Sequence, residues 1–390
     1  MKREYWTSVQ HRLLNSAMQP LITALNHPAF HLPKRIDGDS MPIYLQAQFK
    51  LYFSIIEQIE EPMVQGLLQP IIPVLNHFCN SVTAAVVAHL SGDPAAAYAI
   101  FESALNPLKQ YLVMDRYGGV KPEFLKEKPY YRMRIGVEKK YSKEDIFHLR
   151  FSERAKVNNQ RYSIAGLPCL YLSNSIYVCW KELNQPDLKE TQVSRFVQAD
   201  PYLNILDLDF TPYRLQAQLR SFYGAFFDKE HPYHSSYYNL WTGTLVNWPL
   251  MIACSLQVHE QNESFKQEYI IPQLLLQWVM RQRDIAGIRY FSNKTAVFPT
   301  TLFTKYSNYV FPPRNMQGEH CSDLRKWFKL TNPVIPTSLD LFNTIENYEL
   351  GKTKLDNPYI DSENGSGIDY KETDYGKIEL AMRELHAAHF

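Results

Sequence analysis

The stretch from Arg154 to Leu183, RAKVNNQRYSIAGLPCLYLSNSIYVCWKEL, brings arginine, aromatic and carboxylate side chains together from three successive elements. Its polar arm ends in Arg161-Tyr162-Ser163, and Ile164-Ala165-Gly166-Leu167-Pro168 reads as a turn. Cys169-Leu170-Tyr171-Leu172 has the pattern of a short buried strand, Ser173-Asn174-Ser175 offers capping side chains, and a helix is predicted from Ile176. Ile176, Cys179 and Leu183 fall on one face of that helix, and Glu182 stands on the flank of that face. A carboxylate there must be paired or must line a polar cavity, because burying it alone is very costly. Guanidinium groups at Arg132 and Arg161 have the fork geometry to grip a diphosphate. Tyr162 and Tyr171 could stack on a planar base, and Ser292 ends a later strand. By spacing alone the same residues suit surface ion pairs, core packing and a simple cap.

The elements that must position these groups lie in a chain of 390 residues, long enough for two domains. Residues 1–112 read as nearly all helix, with Pro20 and Pro70 near helix starts, where a missing N–H costs little. Gln19-Pro20-Leu21-Ile22 through His27 resembles Gln69-Pro70-Ile71-Ile72 through His77, which suggests a duplicated helical hairpin. Arg116 to Pro122 is the best linker. Beyond it the pattern turns to short strands, at 131–135, 203–208, 285–292 and 308–311, mixed with helices. Trp248-Pro249 and Ile271-Pro272 each predict the opening of a short helix. Residues 356–374 read as a mobile loop and 377–386 as a closing helix.

Composition excludes several classes. With 45% hydrophobic and 21% charged residues the chain is a folded globular protein, and a net charge of +1 gives no general attraction to nucleic acid or anionic membrane. Five scattered cysteines without a CxxC fit a reduced, cytoplasmic setting. No apolar run is long enough for a membrane span, and the first residues do not lead into a signal-peptide core. Gly351-Lys352-Thr353 lacks the upstream glycine of a phosphate loop, since Glu346 holds that position. His231-Pro232-Tyr233-His234 has no metal-site spacing, and neither Ser255 nor Ser292 sits in a GxSxG elbow. No metal is expected.

Taken in order, Tyr130-Tyr131-Arg132, Phe147-His148, Arg154, Gln160-Arg161-Tyr162-Ser163, Gly166 to Leu172, Trp180-Lys181-Glu182, Gly287 to Ser292 and Tyr309-Val310-Phe311 resemble the RES-domain family. The family is named for its arginine, glutamate and serine. The resemblance covers roughly residues 125–315. It implies an α+β fold like that of ADP-ribosyltransferases, here preceded by an all-helical N-terminal domain. The expected blocks are a helical bundle at 1–115, a catalytic domain at 125–330 and a C-terminal extension at 331–390. It also implies a toxin-like enzyme that cleaves the nicotinamide–ribose bond of NAD+, by hydrolysis or with inorganic phosphate as co-substrate, and that an antitoxin or regulatory protein neutralises. NAD+ would enter as substrate, with no further cofactor.

The resemblance distributes roles. Arg132 and Arg161 would hold the NAD phosphates, with Tyr162 and Ser163 beside them, and Tyr171 would pack against the nicotinamide–ribose end. Glu182 would bind the ribose hydroxyls and stabilise the oxocarbenium-like transition state, and Ser292 would orient the ribose or nicotinamide. Met133 stands where some members carry tyrosine, and the helical region and the stretch from about 210 to 265 exceed the usual toxin length. Transfer of ADP-ribose to a macromolecule, a catalytically silent nucleotide-binding protein and a homo-oligomeric state remain compatible with the sequence.

Overall fold

The computed structural model describes residues 19–36, 40–112, 129–136, 139–200, 203–209, 234–258, 264–294, 306–339, 359–361 and 367–390. The chain forms two compact units, neither of them continuous in sequence. One comprises residues 1–120, 206–281 and 297–301, the other 121–205, 282–296 and 302–390. Residues 206–281, expected within the catalytic block, thus group with the N-terminal helices, and 302–390 group with the sheet.

The described residues of the first unit are mostly helical. Met41–Ile56 buries Met41, Leu45, Phe49, Tyr52, Phe53 and Ile56 at steps of three and four. Pro94–Leu105 opens on Asp93, whose side chain accepts the Ala96 N–H, with proline at the first position. The expectation of a short helix opening at Trp248-Pro249 is corrected: Pro249 lies inside a single helix, His234–Ser255. Interior proline removes the bond to the carbonyl four residues back, here Leu245. The Tyr52 hydroxyl donates to that carbonyl instead, at 3.0 Å, and the Tyr52 ring stacks on Trp248. The helix Ile270–Arg281 carries Ile271-Pro272 in its first turn, close to the opening that the proline predicts.

The second unit is organised on a sheet. Its strands are β1 (Pro129–Ile135), β2 (Leu170–Ser173), β3 (Thr191–Gln198), β5 (Gly287–Phe291), β6 (Ser307–Phe311) and β7 (Phe328–Leu330), while β4 (Ile205–Leu208) starts at the last residue of this unit's segment and its other three residues group with the first unit. The order across the sheet is β4-β5-β6-β2-β1-β3-β7. The β1–β2, β1–β3, β2–β6, β3–β7 and β5–β6 pairings are antiparallel. Alternation sends Tyr130, Leu170, Leu172, Phe196, Tyr309, Phe311 and Phe328 into one apolar cluster. Tyr131, Met133 and Val193 point to the opposite face, where they meet Ile176 and Cys179 of α1 (Ile176–Glu182) and Ile378 of α2 (Asp374–Ala381). β3 is buried along most of its length and shows no polar–apolar alternation, which is why periodicity does not announce it.

The C-terminal stretch is woven into this unit. Val334 bridges Val193, Leu330 bridges Ala388, and the Arg195 guanidinium donates to the carbonyls of Met382 and Leu385. The loop expected at 356–374 is corrected within the described residues: β8 (Tyr359–Asp361) and β9 (Gly367–Asp369) pair as a two-stranded ribbon, followed by a single turn at Tyr370–Glu372. The closing helix lies at Asp374–Ala381, three residues earlier than its apolar spacing indicates. No described helix is long and apolar enough to cross a membrane.

Candidate functional site

α1 exists because Ser175 caps it: the side chain accepts the Val178 N–H at 3.2 Å. Its first N–H, that of Ile176, donates to the buried carboxylate of Glu379, which also accepts the Tyr370 hydroxyl. The helix face at Ile176 and Cys179 docks on β1, with the Cys179 thiol donating to the Tyr131 carbonyl at 3.4 Å. Burial pushes that thiol up to about 12, so it is inert as a nucleophile at neutral pH.

Glu182 is the last residue of α1, and the chain stops the helix abruptly behind it. Asn184 and Gln185 both take the left-handed conformation, at φ 62° and 59°. Such residues cost energy and persist only where the surroundings hold them. Here Lys294 Nζ donates to the Glu182 carbonyl at 2.7 Å and to Asn184 Oδ1 at 2.8 Å, a cation satisfying a helix C-terminus.

The Glu182 side chain turns onto the sheet face that α1 covers. Its Oε1 accepts from Ser292 Oγ at 2.7 Å and from Asn308 Nδ2 at 2.6 Å. Ser292 follows β5 and is fully buried; its Oγ also accepts the Lys294 N–H. Asn308 is on β6, and its Oδ1 accepts from Ser173 Oγ of β2 at 2.6 Å. Glu182 Oε2 accepts no hydrogen bond from the described residues. The carboxylate is therefore held by one oxygen and presents the other.

The same face carries an aromatic group. Ser173 and Asn308 are register partners, as are Tyr290 and Asn308, and Tyr171 lies two residues before Ser173 on β2. The Tyr171 hydroxyl donates to the Tyr162 carbonyl at 2.8 Å, and the Tyr162 and Tyr290 rings lie 4.4 Å apart. Burial keeps the Tyr171 phenol well above its ordinary range, so it stays protonated; the nearby Ser163 hydroxyl donates to the Ile164 carbonyl at 3.4 Å. Arg161 is half-buried in the tight turn that the Ser163 N–H closes onto the Gln160 carbonyl. Gly166, at φ 81°, provides the left-handed step that returns the chain to β2.

The predicted residues thus fall into two linked groups, Glu182 with Ser292, and Tyr171 with Tyr162 and Ser163. Arg132 is placed otherwise. Strand alternation starts its side chain on the Tyr130 side of β1, away from the face of Tyr131 and α1. Its Nη1 donates to the Tyr171 main-chain carbonyl at 2.7 Å, tying β1 to β2 where their pairing is confined to Tyr131 and Ser173. Burial, then the neighbouring Arg134, push its guanidinium down to about 9, leaving it charged at neutral pH. Its Nε is buried without a partner. Arg132 does not reach Glu182.

Asn308, Ser173 and Lys294 belong to the site without being predicted from sequence. The legible signal is polarity at buried strand positions, Ser173 and Asn308 being the polar residues of β2 and β6 that share this face. Among the described residues no cluster of three or more His, Cys, Asp and Glu could hold a metal. His231 and Gly351-Lys352-Thr353 lie outside the described residues. All five cysteines are buried and none forms a disulfide.

No family model matches the chain, and no solved structure matches it. It is 30% identical over 356 residues to a protein of Bacillus subtilis (strain 168) named "Putative toxin YopC". The match covers 90% of this chain and 77% of the relative. At that identity and coverage, the chain belongs to the same protein family as this Bacillus subtilis relative.

Proposed function

We propose that this protein consumes NAD+ by cleaving its nicotinamide–ribose bond, within a RES-type, ADP-ribosyltransferase-like fold. The observation that carries the reading is the Glu182 carboxylate, fixed through Oε1 by Ser292 and Asn308 with Oε2 unengaged, on a sheet face shared with Tyr171 and Tyr290. Departure of nicotinamide develops positive charge on the ribose, and a preorganised carboxylate beside it lowers the barrier. Nicotinamide leaves from a cationic nitrogen, so no general acid is needed. Water or inorganic phosphate then captures the sugar, as in glycoside chemistry.

In this reading Glu182 Oε2 meets the ribose hydroxyls and Ser292 fixes the carboxylate. Tyr171 and the Tyr162–Tyr290 pair form the wall for the flat nicotinamide end. Arg161, in the turn tied to Tyr171, is the cation for the phosphates. Arg132 contributes by anchoring β2 at the Tyr171 carbonyl. The relative's name supports a toxic outcome, and a neutralising partner protein belongs to the same proposal.

The test is incubation of the purified protein with NAD+, following free nicotinamide by chromatography with and without phosphate, beside Glu182→Gln. Release by the wild type alone is the expected result. A folded wild type that releases none under either condition refutes the reading, and label transferred from NAD+ to a macromolecule redirects it to ADP-ribosyl transfer.

A further inference from the structure

The Asn308 amide stands between two groups that fix its orientation. Ser173 Oγ donates to its Oδ1 at 2.6 Å, and its Nδ2 donates to Glu182 Oε1 at 2.6 Å. The flipped amide would set an oxygen against the carboxylate, so only one orientation satisfies both neighbours. Ser292 Oγ approaches Oε1 as well, at 2.7 Å, from the end of the adjacent strand. A carboxylate held by two donors at a single oxygen is locked about its last torsion.

We infer that Asn308 is a positioning residue: by donating to Glu182 Oε1, with its own Oδ1 held by Ser173, it makes Oε2 the oxygen that meets the substrate. The substrate half of this statement rests on the NAD+ reading; the contact itself does not. The described titratable and charged groups around the cluster are Cys179 and Lys181 on α1, Tyr131 and Arg132 on β1, Tyr171 on β2, Tyr290 on β5, Lys294 beyond it, Tyr306 before β6 and, across Cys179, Glu379 on α2. Glu182 is the carboxylate that the Asn308 side chain touches, so a second acid introduced at 308 couples to it first.

Asn308→Asp makes that test. At low pH the introduced carboxyl holds a proton and donates it to Glu182 as the amide does. As the pH rises the introduced carboxyl loses its proton, the donor is lost and a second negative charge faces Glu182. Nicotinamide release by Asn308→Asp should stay within a few-fold of wild type at the acid end and fall about 10- to 100-fold towards alkaline pH, the range set by losing a hydrogen bond to a charged group. The wild type should show no such descending limb. Asn308→Ala should lose about the same factor in kcat at every pH with KM little changed. A loss in Asn308→Asp that is equal at all pH values overturns the proposal.

A second measurement does not require turnover. With 15N-labelled asparagine, the Asn308 side-chain amide protons should lie downfield in the wild type. They should move upfield in Glu182→Gln and in Ser173→Ala, as a charge-assisted bond weakens. An Asn308 signal indifferent to both substitutions overturns the assignment even if the protein cleaves NAD+. A responsive signal in a protein that releases no nicotinamide upholds the contact and refutes the NAD+ reading.

Discussion

Ser292 Oγ donates to Glu182 Oε1 at 2.7 Å across 110 residues of sequence. The hydroxyl gives its proton to the carboxylate and accepts the Lys294 N–H at 3.2 Å. Its position ties it to the acid that it steadies.

That dependence is measurable. Ser292→Ala should lower kcat for nicotinamide release about 10-fold, the effect of losing one hydrogen bond to a charged group. Glu182→Gln should lower it far more, by about 100-fold or beyond. The two losses should not add: in the Glu182→Gln background, removing the serine hydroxyl should change the residual rate by less than about 2-fold. Additive effects on steady-state kinetics would mean that Ser292 touches the substrate directly.

Glu379 anchors the start of the helix that ends in Glu182. Its buried carboxylate takes the Ile176 N–H and the Tyr370 hydroxyl. Glu379→Ala leaves both donors buried without an acceptor, and stability should fall by about 1–3 kcal/mol. Urea unfolding followed by fluorescence reads this directly. Tyr370→Phe, which removes the orphaned hydroxyl, should recover part of the loss when combined with it.

His148 makes the fold acid-sensitive. The fully buried ring bonds the Leu149 carbonyl through Nδ1 and accepts the Cys321 N–H at Nε2, so it must be neutral. Burial, against the carbonyl bond and with His320 nearby, pushes it down from its ordinary 6.5 to about 3. The unfolded chain therefore binds a proton that the folded one refuses between those limits. Stability is complete above about pH 6.5 and falls as the pH drops towards 3, by up to about 1.4 kcal/mol per unit from this group. Unfolding midpoints measured from pH 7 to pH 4 should show that slope in the wild type and a shallower one in His148→Gln.

In the helical unit, Tyr52 supplies the donor that Pro249 withholds from the Leu245 carbonyl. Tyr52→Phe should cost about 1–2 kcal/mol by leaving that carbonyl unmet. Restoring a main-chain N–H with Pro249→Ala should make the same change nearly harmless. Thermal unfolding of the two single variants and the double variant completes the cycle; equal costs in both backgrounds would break the link between the two residues.

How far these features could be read from the sequence follows from how local their causes are. β1, β2, β5 and β6 and the start of α1 announce themselves because alternation, a capping serine and a turn glycine act within a few residues. β3 does not, because cover on both faces erases the alternation. Pro249 misleads because the group that excuses it is a tyrosine nearly two hundred residues away. Glu182 is legible from its place on the helix flank, but Asn308 is not, since its meaning comes from a partner 126 residues distant. Arg132 reads as a phosphate ligand by residue type, and only the pleat of β1 reveals which way it departs.

The interrupted course of the sheet unit has a consequence for the cell that makes this protein. A ribosome releases Glu182 first, then a long excursion that belongs to the other unit, and only afterwards Ser292, Asn308 and the Glu379 that seats the helix. Until residue 308 has emerged the acid lacks its two donors, and until residue 379 the helix that carries it lacks its buried anchor. The order of synthesis thus delays assembly of this carboxylate cluster until after the inserted segment has been made.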